Sequence, residues 1–226
     1  MAYDTLIAAL EDASNKDDAM VKGTQHRPVA SWFSTNEGAD TFGGILHLCQ
    51  WKEHQTSRSE QPKRLSILVE VSEAIRRTGR TCVLEKSTVR VTYYRLSANQ
   101  PVFVLGMHFD YTPGQMMHPV FHMQTTNEQP VLNEDAVREL GFTFPRTDCQ
   151  AVSLRNVRIP TCDMTLPSVL LCLAANHLSP TSFTEFLDKV RAHLKILPRP
   201  ELGRLMESIL ADNTHLCSSH WFEHMA

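Results

Sequence analysis

The chain has 226 residues, with 42% hydrophobic and 21% charged side chains, a formal net charge of -3 and a mean hydropathy of -0.24. That profile suits an ordinary globular domain with a large core, and it excludes a disordered, collagen-like or coiled-coil chain. No apolar run approaches the ~18 residues of a membrane span, and Met1-Ala2-Tyr3-Asp4 lacks the basic start and apolar core of a signal peptide, so a cytosolic protein with no membrane partner is expected.

Tyr3, Leu6, Ile7 and Leu10 recur at helical spacing and predict a short amphipathic helix before the polar run Asp12 to Asp18. Lys22 to Gly44 reads as irregular chain around Trp32 and Phe33, Ile45 to Trp51 as a strand, and Glu53 to Lys63 as an exposed loop. Leu68, Val71 and Ile75 repeat at helical spacing, which predicts a helix over Leu65 to Arg77 with Gly79 as its stop. The period then changes. Ser87 to Leu96, Val102 to Tyr111 and His118 to Gln124 are rich in β-branched and aromatic residues and predict an antiparallel meander.

A short helix opened by Asn133 and a strand at Ser153 to Ile159 come next. Three helical segments follow. Leu166 to Leu178 carries Pro167 at a first helical position and is apolar enough to be central; Cys172 within it reads as a small core residue. Ser182 and Glu185 form a capping box ahead of Phe183 to Leu194, and Leu202, Leu205, Met206, Ile209 and Leu210 make the last stripe. Strands in a run and then helices in a run predict an α+β fold. Its form is an antiparallel β-meander covered on one face by helices, in one domain with parts at residues 1–80, 81–160 and 161–226.

Charge is uneven. From Arg58 to Arg95 nine basic residues face four acidic ones, a net of +5, while the rest of the chain carries -8. Arg76, Arg77 and Arg80 fall within about one helical turn on this reading, as a contact for phosphate or an acidic partner. The six cysteines (49, 82, 149, 162, 172 and 217) include no Cys-x-x-Cys pair and read as reduced thiols.

Eleven histidines are the distinctive count. Alternation puts Phe103, Leu105, Met107 and Phe109 on one face of the second meander strand and Val104, Gly106, His108 and Asp110 on the other. In the third, Phe121 and Met123 oppose His118, Val120, His122 and Gln124. His108, Asp110, His118 and His122 therefore share a surface, provided that an odd loop or a bulge separates Tyr111 from His118; a two-residue turn at Pro113-Gly114 would pair Asp110 with Met117 and break it. Three imidazoles and a carboxylate suit zinc, manganese or iron, and a His pair oriented by Asp110 suits general acid–base catalysis. At the end of the chain, Cys217, His220 and His224 offer three zinc-type donors, while Trp221 and Phe222 read as an anchor that packs the tail onto the domain or a partner. His47, His54, His177 and His193 read as structural or incidental.

The order His108-Phe-Asp110-Tyr, His118-Pro119-x-x-His122, then Arg158-Ile159-Pro160-Thr161 before a Leu-rich helix resembles a pattern in small prokaryotic α+β proteins of toxin-antitoxin and phage-defence neighbourhoods. The resemblance spans about residues 87 to 180. It implies a bacterial cytosolic setting and either a toxin-like enzyme or a partner-binding subunit.

Two functional expectations follow. The first is a binding or assembly component for a protein or RNA partner, supported by the lack of a nucleotide-binding loop or nucleophile elbow, with Arg76, Arg77, Arg80, Trp221 and Phe222 as contacts. The second is a phosphodiesterase or ribonuclease, in a metal-dependent or metal-free form, using His108, His118 and His122 with Asp110, and Arg90 or Arg158 to hold phosphate.

Overall fold

The computed structural model describes residues 2–23, 34–36, 39–52, 64–78, 81–97, 100–111, 121–126, 134–142, 159–160, 165–193 and 199–200. Helix α1 (Ala2–Asn15) opens the chain and buries Tyr3, Leu6, Ile7, Leu10 and Ala13 as one stripe, as the spacing predicts. Short strands β1 (Met20–Gly23) and β2 (Ser34–Asn36) pair with one edge of β3 (Ala39–Lys52). From β3 the sheet runs as an antiparallel meander through β4 (Arg64–Thr78), β5 (Thr81–Ser97), β6 (Gln100–Tyr111) and β7 (Phe121–Thr126). Helix α2 (Glu134–Glu139) follows, and β8 (Ile159–Pro160) extends the sheet beside β7. Helices α3 (Leu166–His177) and α4 (Pro180–His193) come last, before β9 (Arg199–Pro200), which pairs parallel with β5 at Val83 and Leu84. The fold is α+β.

The helix expected over Leu65 to Arg77 is strand β4. Leu65, Ile67, Val69 and Val71 bury one face against the helices, and Leu68 buries the other beneath α2. A strand covered on both sides reads as an almost continuous apolar run, so the i, i+3, i+7 match of Leu68, Val71 and Ile75 was fortuitous. Thr78 pairs with Thr81, so residues 79–80 connect a hairpin where a helix stop was expected.

The main core lies between α1, α3, α4 and the face of the sheet that carries Ile67, Val69, Val71, Val89 and Val91. Burial of each such side chain contributes roughly 1.5–3 kcal/mol. Helix α3 buries Leu166, Pro167, Val169, Leu170, Leu173 and Ala174, as its composition predicts; Cys172, expected in the core, faces outward and is exposed.

Capping of α4 differs from expectation. The helix begins three residues earlier, and Ser179 rather than Ser182 is the cap: its Oγ accepts from the Ser182 N–H at 3.3 Å. Asp17 ties this cap to the end of α1, accepting from the Ser179 N–H at 2.6 Å and from the Ser179 and Ser182 hydroxyls at 2.9 and 3.0 Å. Burial pushes the Asp17 carboxyl upward, but these hydrogen bonds outweigh it and hold the group below its usual range. Glu185, the expected partner of Ser182, pairs instead with Lys16 on the far side of the loop.

On the same helix-covered side, Glu73 is buried and accepts from the Tyr3 hydroxyl, from Ser87 Oγ at 3.1 Å and from the Leu166 N–H at 3.5 Å. A buried carboxylate needs such donors, and here they join α1, β5 and the start of α3.

The opposite face of the sheet is divided. Over β3 to β5, the segment after α2 forms a lid in which Gly141, at φ 74°, ends the helix. The Gly141 N–H bonds the Arg138 carbonyl at 2.8 Å and the Phe142 N–H bonds the Val137 carbonyl at 3.3 Å, the paired pattern of a Schellman cap. This cap drives Phe142 down beside Val137 and Leu140 onto Ile45, Leu68 and Tyr94. Beyond that cluster the face is polar.

Candidate functional site

Register explains the polar half. β5 pairs Thr88 with Asp110 and Arg90 with His108, and β6 pairs Asp110 with His122 and His108 with Gln124. On β4, Ser72 and Glu70 continue the same two rows. Cross-strand partners on one face stand ~5 Å apart at Cβ, so the pairing alone assembles a patch of Glu70, Ser72, Thr88, Arg90, His108, Asp110, His122 and Gln124. Tyr111 pairs with Phe121, which leaves residues 112–120 as the connection, an odd number that keeps Asp110 and His122 on one face. The tight turn that would have paired Asp110 with Met117 is absent from this register.

One correction concerns β6. The register slips between Tyr93 and Tyr94, so that Leu105 pairs with Tyr93 but Phe103 pairs with Tyr94. This bulge moves Phe103 off the face of Leu105, Met107 and Phe109 and into the cluster under α2, with its ring 6.0 Å from that of Tyr94.

Asp110 is the centre of the polar half. Its Oδ2 lies 3.5 Å from His108 Nδ1 and 3.3 Å from His122 Nε2, while Oδ1 accepts from Thr88 Oγ1 at 2.7 Å. The two imidazoles meet edge to face, with centroids 6.3 Å apart. Their exposures differ: the His122 side chain is 3% accessible and that of His108 is 29%. A carboxylate facing Nδ1 orients the ring and leaves Nε2 as the atom offered to a ligand. His108 is therefore the working imidazole, Asp110 its orienting group and His122 a buried support.

Next to His108, Arg90 Nη1 donates to Glu70 Oε2 at 2.9 Å. A cleft of about 480 Å³ opens here between β4 and β5, lined by Glu70, Ser72, Glu73, Ala74, Lys86, Thr88 and Arg90. Strand alternation brings Arg90 to the same face as His108; Thr88, Lys86 and Glu70 were not singled out from sequence. Their signal was the alternation of Thr88, Arg90 and Thr92 along β5, which was used only to place a strand.

The other expected contacts divide as follows. Arg76 and Arg77 occupy successive positions near the end of β4, not a helical turn, and Arg76 is engaged by Glu85 at 2.6 Å. Arg80, His118, Arg158, Trp221 and Phe222, with the Cys217, His220 and His224 tail, lie outside the described residues. Of the expected zinc or manganese ligands, His108 and His122 meet at Asp110. Among the described residues no group of three or more His, Cys, Asp or Glu side chains is arranged to hold a metal ion.

A second histidine cluster, which sequence reasoning treated as incidental, lies under the α2 lid. His47 Nε2 is 2.5 Å from Ser66 Oγ, Cys49 Sγ is 3.3 Å from His47 Nδ1, and Phe142 packs edge-on against the ring at 5.2 Å. Burial pushes His47 down to about 4 and Cys49 up to about 11, so both are neutral near pH 7. This pair is structural. His177 on α3 is also structural, with Nδ1 2.9 Å from the Lys52 carbonyl and Nε2 3.3 Å from the Tyr93 hydroxyl.

The chain matches no protein-family model, no curated protein and no solved structure. Among the described residues, no helix is long and apolar enough to cross a membrane. The argument for function therefore rests on the geometry of the polar half-sheet.

Proposed function

We propose that the chain is a phosphodiesterase acting on RNA, with His108 as general acid–base, Asp110 as the carboxylate that orients it, and Arg90 as a phosphate contact. The observation that carries this reading is the convergence of His108 and His122 on one Asp110 oxygen beside a cleft with cationic side chains. An oriented imidazole can take the proton of a ribose 2′-hydroxyl as it attacks the adjacent phosphorus, a route that DNA lacks, and general acid–base catalysis contributes roughly 10²–10⁴-fold. In the bacterial, cytosolic setting implied by the resemblance, this reading corresponds to a toxin-like enzyme.

The test is cleavage of end-labelled RNA oligonucleotides by the purified wild type, His108→Ala and Asp110→Asn. A loss of about 10²-fold or more in both variants, with folding intact, supports the assignment. Equal activity in all three proteins removes it.

A second reading has its own observation. Leu96, Val102 and Val104 are exposed together at the open end of the β5–β6 hairpin, with Val104 47% accessible. This apolar tip favours a partner-binding component whose contact lies away from the histidines. Val104→Asp disrupting a co-purifying complex, with RNA left uncut by the wild type, would select it.

A further inference from the structure

The cleft beside His108 has the makings of a ligand subsite. Its volume of about 480 Å³ falls within the roughly 300–1,000 Å³ of small-molecule sites and is enough for one nucleotide unit. Its floor is strand backbone, and its walls bring two cations, Lys86 and Arg90, together with the hydroxyl-bearing residues Ser72 and Thr88. The carboxylate on its rim, Glu70, is already committed to Arg90. Only Nη1 of the guanidinium is used in that pair. With five N–H donors in all, Arg90 is held in orientation by Glu70 and still has four to offer. Lys86 is exposed and has no carboxylate partner among the described residues.

The cleft is continuous with the acid–base residues. Arg90 is the cross-strand partner of His108, and Thr88 links the cleft to Asp110 through its 2.7 Å hydrogen bond. An anion held between Lys86 and Arg90 therefore sits one strand away from the imidazole.

We propose that this cleft is the subsite for a backbone phosphate of RNA adjoining the bond to be cut, with Lys86 and Arg90 as its positive contacts. The inference rests on the ribonuclease reading and names how that site would hold its substrate. Arg90 acts as a positioning residue, because its planar fork suits an oxyanion and its pairing with Glu70 fixes the angle at which it is presented.

The experiment measures equilibrium binding of a fluorescent single-stranded 2′-deoxy oligonucleotide, which has the phosphates but no 2′-hydroxyl. The proteins are the wild type, Arg90→Lys and the Lys86→Ala/Arg90→Ala double variant, each checked for unchanged melting. Inorganic phosphate is added as a competitor. The double variant is expected to bind about 10-fold more weakly or worse, with a salt slope lower by about 2, and Arg90→Lys to fall between it and the wild type. Wild-type binding that is undetectable, or equal in the double variant, overturns the subsite, as does competition by phosphate at a protein that binds no oligonucleotide. The two proposals fail separately. Binding that follows Lys86 and Arg90 while RNA stays uncut removes catalysis and keeps the subsite; His108-dependent cleavage that is undiminished in the double variant removes only the subsite.

Discussion

His47 and His108 lie on the same face of one sheet, and their surroundings give them opposite uses. His47 is sealed beneath Phe142 and Leu140, bonded to Ser66 and held neutral by burial. His108 faces a carboxylate on one side and open space on the other. What separates them is the α2 lid, which covers the sheet over Ile45, Leu68 and Tyr94 and stops short of the Arg90–His108 row. A histidine count therefore says little until the cover above each ring is known.

Removing the lid's anchor is expected to have the largest effect on stability. Phe142→Ala takes away a 4%-accessible ring that packs on both His47 and Tyr94, and it should cost about 3–5 kcal/mol in chemical denaturation. An equal loss from Gln124→Ala on the polar half would erase the distinction between the two halves.

Acid should expose the same contrast. An unfolded imidazole titrates near 6.5 and folded His47 near 4, so between these values the unfolded chain binds the extra proton. The contribution of neutral His47 is complete above pH 6.5 and is lost as pH falls toward 4, on the order of 3 kcal/mol in all. Stability curves from pH 7 to 4 should show this decline in the wild type and a shallower one in His47→Gln. Parallel curves would contradict the burial of His47 as its cause.

The cap of α4 offers a middle-sized effect outside both halves. Ser179→Ala should cost about 1 kcal/mol, and Ser182→Ala should not reproduce the loss of helix capping. Smallest of all, Arg90→Ala breaks a partly exposed ion pair with Glu70 and should shift stability by only about 0.2–1 kcal/mol. A large destabilisation there would mean that the arginine serves the fold rather than a ligand.

Strands β5 and β6 were legible because their residues are β-branched and alternate, and the same alternation placed His108 and Asp110 on one face. Strand β4 was not, since Leu68 faces one core and Ile67 and Val69 another, which hides the period of two. Misreading β4 had a cost at both histidine clusters. It concealed Ser66 beneath His47 and Glu70 beside Arg90, both of which belong to that strand. Phe103 was misplaced for a different reason: a bulge shifts side chains between faces without changing composition. Ser179 was passed over as a cap because Ser182 and Glu185 have the sequence signature, whereas Asp17, brought in from a distant turn, decides where α4 begins.

The most direct test of the central claim is chemical rescue of RNA cleavage in His108→Ala by free imidazole. If His108 supplies acid–base chemistry next to an intact phosphate site, added imidazole should restore a concentration-dependent part of the wild-type rate, and restore less when Lys86 and Arg90 are also replaced by alanine. A folded His108→Ala protein that cleaves RNA at the wild-type rate without imidazole would contradict the account, and so would a wild type that leaves RNA uncut.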